Sequence, residues 1–358
     1  MRNPSPSSVP GRLIAEIPGL LGYYPGRGAA LLFLRHTDPS SSALATVAFC
    51  GEADAGWSMP GTFERFGDSV IMVVVDDRCT SGIANSQPRG RPRSPLLELC
   101  LSSVAGQLKS FGVAIVATWV TPAIAHGSPW WDAENPDRKG LIEDPATSSS
   151  GLSRAVNGRG IYVSRAAIAA DLAIDDPASA AVTAALTALG RGPSGAPADA
   201  SALSVEEERS SAQFALECID AIAQGESLSP RQLARLAVAL TSRHLLSILC
   251  GVAETHRRTS AENLWMLMTR VLAGPLRAHP ACLLAFSAAR RGDGSLAAIA
   301  IEIAAAANGS DVLVRLLTMA IRGGLSPRQL GGVAEAGCRT AAALGVDLGP
   351  LSPPNSDA

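Results

Sequence analysis

The stretch from Ser260 to Leu330 constrains this chain most. It is an almost unbroken series of amphipathic helical segments: SAENLWMLMTRVL, HPACLLAFSAARRGDGSLAAIAIEIAAAANG and DVLVRLLTMAIRGGLSPRQL. Apolar residues spaced this way fall on one face of a helix. The C-terminal half is therefore expected to fold by packing helix on helix, with Gly292 and Asp293 ending one helix and starting the next.

Small residues flank that break. Ala285 precedes Gly292 by seven positions, and Ala297 and Ala304 follow it by five and twelve. Such spacing lets two antiparallel helices approach closely, and the pair resembles one tetratricopeptide-type hairpin. A helical repeat array needs about three units to bury a continuous core, so one copy is equally readable as an ordinary hairpin.

The hexapeptide Leu-Ser-Pro-Arg-Gln-Leu occurs twice, at Leu228 to Leu233 and at Leu325 to Leu330, an offset of 325 − 228 = 97 residues. It has the grammar of a helix start. Ser229 or Ser326 is the N-cap, Pro230 or Pro327 takes the first helical position, and Gln232 or Gln329 reaches back to complete a capping box. The flanking leucines stand where a hydrophobic staple would sit. Each start should stabilise its helix by about 1 kcal/mol.

A length of 358 residues allows two domains with real cores, and an apolar share of 47% is that of a globular protein. The net charge of −2 gives no global field favouring nucleic acid or membrane. Lys109 and Lys139 are the only lysines, leaving 30 − 2 = 28 arginines, a skew that points to a GC-rich bacterial genome. The N-terminal MRNPSPSSVP lacks the apolar core of a signal peptide, and no apolar run reaches the roughly 18 residues of a membrane span. A cytoplasmic protein is expected. The seven cysteines are widely spaced and never form Cys-x-x-Cys, so they read as reduced, small apolar residues.

In the N-terminal half, Gly11 to Tyr24 reads as a short helix broken by Pro18, and Ala29 to Leu34 with Ala43 to Cys50 as a hairpin. Trp57 to Phe66 reads as a helix. Ser69 to Val75 is β-branched and apolar on both faces, as expected of a strand in the middle of a sheet. A loop from Asp76 to Arg93, a helix opened by Ser94-Pro95 and a second buried strand, Val113 to Val120, complete a βαβ crossover. Trp130 and Trp131 are expected in irregular structure, Gly160 to Val163 as a short strand, and Ser164 to Leu172 as a helix.

The segments GLLGYYPGRGAALLFL, SVIMVVVDD, ATWV followed by Trp130-Trp131, NGRGIYVSRAAIAADLA and GDGSLAAIAIEIA, in that order, resemble an uncharacterised actinobacterial family, domain of unknown function 4192, over about Leu13 to Leu330. Two departures stand out. Asp132-Ala133-Glu134-Asn135-Pro136 replaces the serine-tyrosine and cysteine-rich segment that the family places after the tryptophans, and His244 follows Arg243 where the family has an acid. The resemblance implies a fold and no established activity.

Candidate chemistry is sparse. Asp76 and Asp77 end the strongest strand, where ligands of open sheets bind, and paired carboxylates there could hold Mg²⁺ or a ribose. His126, Trp130, Trp131, Asp132 and Glu134 cluster in sequence without metal-ligand spacing. Arg89 and Arg91 in Pro88-Arg89-Gly90-Arg91-Pro92, with Arg93 beside them, look like the core of an AT-hook, which slides guanidinium groups into a narrow minor groove. There is no P-loop, dinucleotide fingerprint or nucleophile elbow, so no catalytic residue, metal or cofactor is assigned.

The expectation is thus an α/β domain with a mixed sheet and a βαβ crossover at residues 10–175, a linker region at 176–202, an all-α domain of helical hairpins at 203–345 and a disordered tail at 346–358. The leading function is a non-catalytic cytoplasmic interaction or scaffold protein that binds a protein partner or itself and no membrane. Two alternatives are a DNA-associated protein using Arg89 to Arg93 and a nucleotide- or metal-binding enzyme using Asp76 and Asp77.

Overall fold

The computed structural model describes residues 8–38, 41–51, 69–79, 95–110, 112–135, 137–156, 158–191, 204–323, 325 and 327–352. The expected helix Trp57 to Phe66, the end of the expected linker and the last tail residues lie outside the described residues. The chain divides into two compact units, Met1–Ala167 and Ile168–Ala358.

The first unit holds α1 (Ser8–Leu21), β1 (Gly28–Asp38), β2 (Ser41–Gly51), β3 (Ser69–Val75), α2 (Pro95–Ser110), β4 (Ala114–Thr121), β5 (Pro129–Asp132), β6 (Lys139–Leu141) and α3 (Ser149–Val156). Among the described residues its strands form one mixed sheet in the order β2-β1-β3-β4-β5-β6. β3 and β4 run parallel, joined through α2, and the other neighbours are antiparallel. The expected hairpin and βαβ crossover are both present.

Every residue of β3 is buried, which accounts for its lack of a polar face. Alternate residues Val70, Met72 and Val74 join Ala29, Leu31 and Phe33 of β1 in a core closed by Leu96, Cys100, Val104 and Leu108 of α2. In β4 the register steps from Val70↔Ile115 to Ile71↔Ala117, leaving Val116 as an extra, exposed residue. That bulge lets Ile115 and Val120, an odd number of positions apart, face the same core.

Two sequence expectations are corrected here. Pro18 lies inside α1 and does not break it. It falls in the last turn, where one missing donor costs little, and its own carbonyl accepts from Gly22 N–H at 2.8 Å. Trp130 and Trp131 belong to β5, which pairs with both β4 and β6. The strand is too short, and too tightly hemmed by turn residues, to show a period. Gly160 to Val163 contributes only one bridge, Tyr23↔Tyr162.

After α4 (Arg165–Asp171), which spans the division, the second unit is helical: α5 (Asp176–Ala188), α6 (Val205–Ala223), α7 (Pro230–Ala239), α8 (Arg243–Gly251), α9 (Arg258–Val271), α10 (Ala278–Arg290), α11 (Gly294–Asn308), α12 (Val312–Arg322) and α13 (Pro327–Ala343). The first hexapeptide copy forms the expected capping box: Gln232 N–H donates to Ser229 Oγ at 3.3 Å and Ser229 N–H to Gln232 Oε1 at 2.9 Å. α13 starts at Pro327 as the second copy predicts; Ser326 lies outside the described residues. α10 and α11 form the expected hairpin, with Ala285, Ala297 and Ala304 fully buried and Asp293 capping α11 through Leu296 N–H at 3.1 Å.

The boundaries differ from those expected. Residues 176–188 of the presumed linker form α5, which packs on α7 and α9. The presumed tail is docked as far as Ser352: Val346 and Leu348 are buried, His256 N–H donates to Pro350 O at 3.2 Å, and Ser352 N–H donates to Glu254 O at 2.7 Å. Among the described residues no single helix is long and apolar enough to cross a membrane; α7 and α8 pass that test only as a pair bent by 104°.

Candidate functional site

Asp76 sits at the C-terminal end of β3, beside the end of its parallel neighbour β4, and its N–H donates to Thr121 O at 3.0 Å. Its side chain is fully buried and already engaged. Oδ1 accepts from Arg27 Nε at 3.2 Å, Arg78 Nε at 3.3 Å and Arg78 N–H at 3.1 Å. Asp77 is 76% exposed, and its Oδ1 meets Arg27 Nη2 at 2.8 Å. A cation bound between these carboxylates would have to displace Arg27. The arrangement fastens the strand end to the residue just before β1, and its chemistry is that of a structural ion-pair cluster.

The sequence cluster around the tryptophans does not converge. His126 and Glu134 are exposed, while Asp132 is buried and committed to the turn after β5. Its Oδ1 accepts from Glu134 N–H at 2.9 Å and Asn135 N–H at 3.1 Å, and its Oδ2 meets Arg138 Nη1 at 3.3 Å. Trp130 packs against Trp119 with ring centroids 6.0 Å apart and lies beneath Gly11 and Gly140, where a Cβ would collide with its indole nitrogen or with Leu141 O. This is a packed wall. Among the described residues no group of three or more His, Cys, Asp or Glu is placed to hold a metal. Arg89, Arg91 and Arg93 lie outside the described residues.

Cys218, Cys250, Cys282 and Cys338 are free thiols. Burial pushes Cys250 and Cys282 up to about 12, and Asp311 and Cys250 add to the effect on Cys282. These are unreactive core residues, as their sequence spacing suggests.

The surface that sequence reading did not single out is on α12. Val314 and Leu317 face inward on a helix that packs against α10 and α11, yet Val312, Leu316 and Met319 are 46%, 58% and 70% exposed. Their spacing of four and then three residues makes one continuous apolar stripe along the outside of the helix. Exposed, contiguous apolar residues of this kind mark interaction sites more often than scattered single ones do. Leu325, just beyond the helix end, is also exposed, and its N–H donates to Ala320 O at 3.0 Å.

Fold and surface together define a two-unit protein: a mixed α/β sheet with one parallel crossover, followed by a helical unit with an apolar outer face. The chain belongs to the family described as Domain of unknown function (DUF4192), whose model matches residues 10–328. That family carries no assigned activity. No curated protein and no solved structure matches the chain.

Proposed function

We propose that the protein is a non-catalytic interaction or scaffold protein whose helical unit docks a protein partner. The observation that supports this reading is the Val312, Leu316 and Met319 stripe, an apolar face on a helix otherwise held by its inward side. The polar clusters add to the support, because Asp76 and Asp132 are each committed to structural ion pairs and turn hydrogen bonds. The α10–α11 hairpin, with its buried alanines, resembles one unit of a tetratricopeptide-type interaction fold. Buried free thiols fit a reducing compartment, hence the cytoplasm, and the arginine-rich composition fits an actinobacterial host.

The test is site-specific photo-crosslinking in cells. With p-benzoylphenylalanine replacing Met319, a discrete adduct identified by mass spectrometry is expected. It should disappear when Leu316→Asp is added, and it should be absent when the crosslinker replaces exposed Ala306 on α11. No adduct at position 319 beyond that seen at position 306 overturns the reading.

A further inference from the structure

We infer that the partner face on α12 is built for an acidic amphipathic helix, an inference that rests on the interaction reading above and adds the chemistry of the occupant. Beyond its N-cap Asp311, which is committed to Leu313 N–H, Val314 N–H and His279 Nε2, α12 carries charge of one sign beside the apolar stripe. From Val312 to Ala334 the sequence carries Arg315, Arg322 and Arg328 and no aspartate or glutamate. All three arginines are exposed.

Arg315 and Arg322 are seven residues apart. At about 100° per residue they fall on the same flank of the stripe, roughly 60 to 80° around the helix from Val312. Among the described residues none of the three guanidinium groups has a carboxylate within salt-bridge reach. The nearly buried arginines of the unit, by contrast, hold acids: Arg257 reaches Asp220 through Nε at 2.7 Å and Nη2 at 2.9 Å, and Arg291 reaches Glu262 and Asp293 at 3.0 and 2.8 Å. The rim of α12 is therefore a set of uncompensated positive charges beside desolvatable apolar surface.

A complementary ligand supplies both halves of that pattern. An amphipathic helix laid along α12 presents apolar residues at spacings of three and four to Val312, Leu316 and Met319, and glutamates or aspartates on its flank to Arg315 and Arg322. A second copy of the same chain is the poorer fit. Pairing the stripe with itself brings like-charged rims together, which costs affinity unless the charges are compensated.

Fluorescence anisotropy on the full chain tests this with three labelled peptides: a leucine-faced helix with a glutamate flank, the same helix with lysines in place of the glutamates, and a scrambled acidic control. Only the first should bind, and more weakly as salt rises. The Arg315→Glu/Arg322→Glu variant, shown to be folded by its circular dichroism and unchanged melting, should lose about tenfold or more in affinity for the acidic peptide and come to prefer the lysine peptide. Equal binding of both charged peptides, or of neither, overturns the inference. So does a wild-type dimer in sedimentation that Met319→Glu dissociates. If position 319 still crosslinks to a partner while the acidic peptide fails, the interaction reading stands and the acidic occupant falls; if position 319 crosslinks to nothing, both fall.

Discussion

Gly337 of α13 lies against Gly251 at the end of α8 with no room for a side chain on either. A Cβ on Gly337 would stand 2.2 Å from Ser247 O and 2.8 Å from Gly251 N, and one on Gly251 would stand 2.9 Å from Cys338 N. All of these are backbone atoms, which cannot swing aside as the end of a long side chain can.

Gly337→Ala should therefore destabilise the helical unit by about 2 kcal/mol, because forced separation of α8 and α13 costs more than alanine's helix preference of about 1 kcal/mol returns. Gly332→Ala on the same helix, where a Cβ meets nothing within 4 Å, should be neutral or stabilising. Urea denaturation of the two variants checks the contrast. Equal midpoints would mean the helices are not in contact at Gly337.

The Asp76 and Asp77 pair should split cleanly. Asp76→Ala removes a buried carboxylate from two arginines and a backbone N–H, and should cost about 2 kcal/mol once the partial exposure of both arginines is allowed for. Asp77→Ala should stay within about 0.5 kcal/mol of wild type. Thermal melts with and without Mg²⁺ and nucleotide provide the check. A ligand-dependent rise in Tm that Asp77→Ala abolishes would restore the enzyme reading.

Ser229→Ala should cost about 1 kcal/mol, since it removes the acceptor for Gln232 N–H and leaves the first turn of α7 without its box. Ser229→Asp should recover most of the loss, because a carboxylate at the N-cap accepts the same bond. If the alanine variant melts like wild type, the hexapeptide is not acting as a helix start.

Cys250 and Cys282 set an alkaline limit. Their thiols ionise near 9.0 when unfolded and near 12 when folded, so the stability held by the neutral buried thiols is complete below pH 9.0 and is lost as pH rises toward 12. Cys250→Ala should flatten that alkaline loss. At mildly alkaline pH neither thiol should react with a disulfide reagent until the protein is denatured. Fast labelling of the native protein at Cys250 would refute the burial.

Much of this architecture is legible in the residues. The apolar run VIMVVV after Ser69 announced a central strand, and the Gly292-Asp293 break announced the hairpin, because burial on both faces and helix capping each leave a local mark. What escaped is non-local. The alanine-rich helix α5 looked like linker because its neighbours α7 and α9 are distant in sequence. Asp76 resembled a ligand site until Arg27, 49 positions earlier, was seen on it. In VLVRLLTMAIR the apolar residues form one arc wider than a single packing face, so sequence could not say which edge of it faced out. The signal that could have flagged it is that surplus, together with the absence of any acid from Val312 to Ala334.

The contact between α8 and α13 also decides how the helical unit can come apart. The start of α13 is 327 − 251 = 76 positions beyond the end of α8, and farther along an isolated antiparallel bridge joins Leu351 to Thr255. A solenoid, in which each hairpin touches only its neighbours, can fray from one end and nucleate anywhere. Here the last helix is a latch across the middle of the unit. Its closure entropy must be met before the contact rewards it, so folding should be slower than the purely local hairpins would allow, and α8 and α13 are expected to melt together.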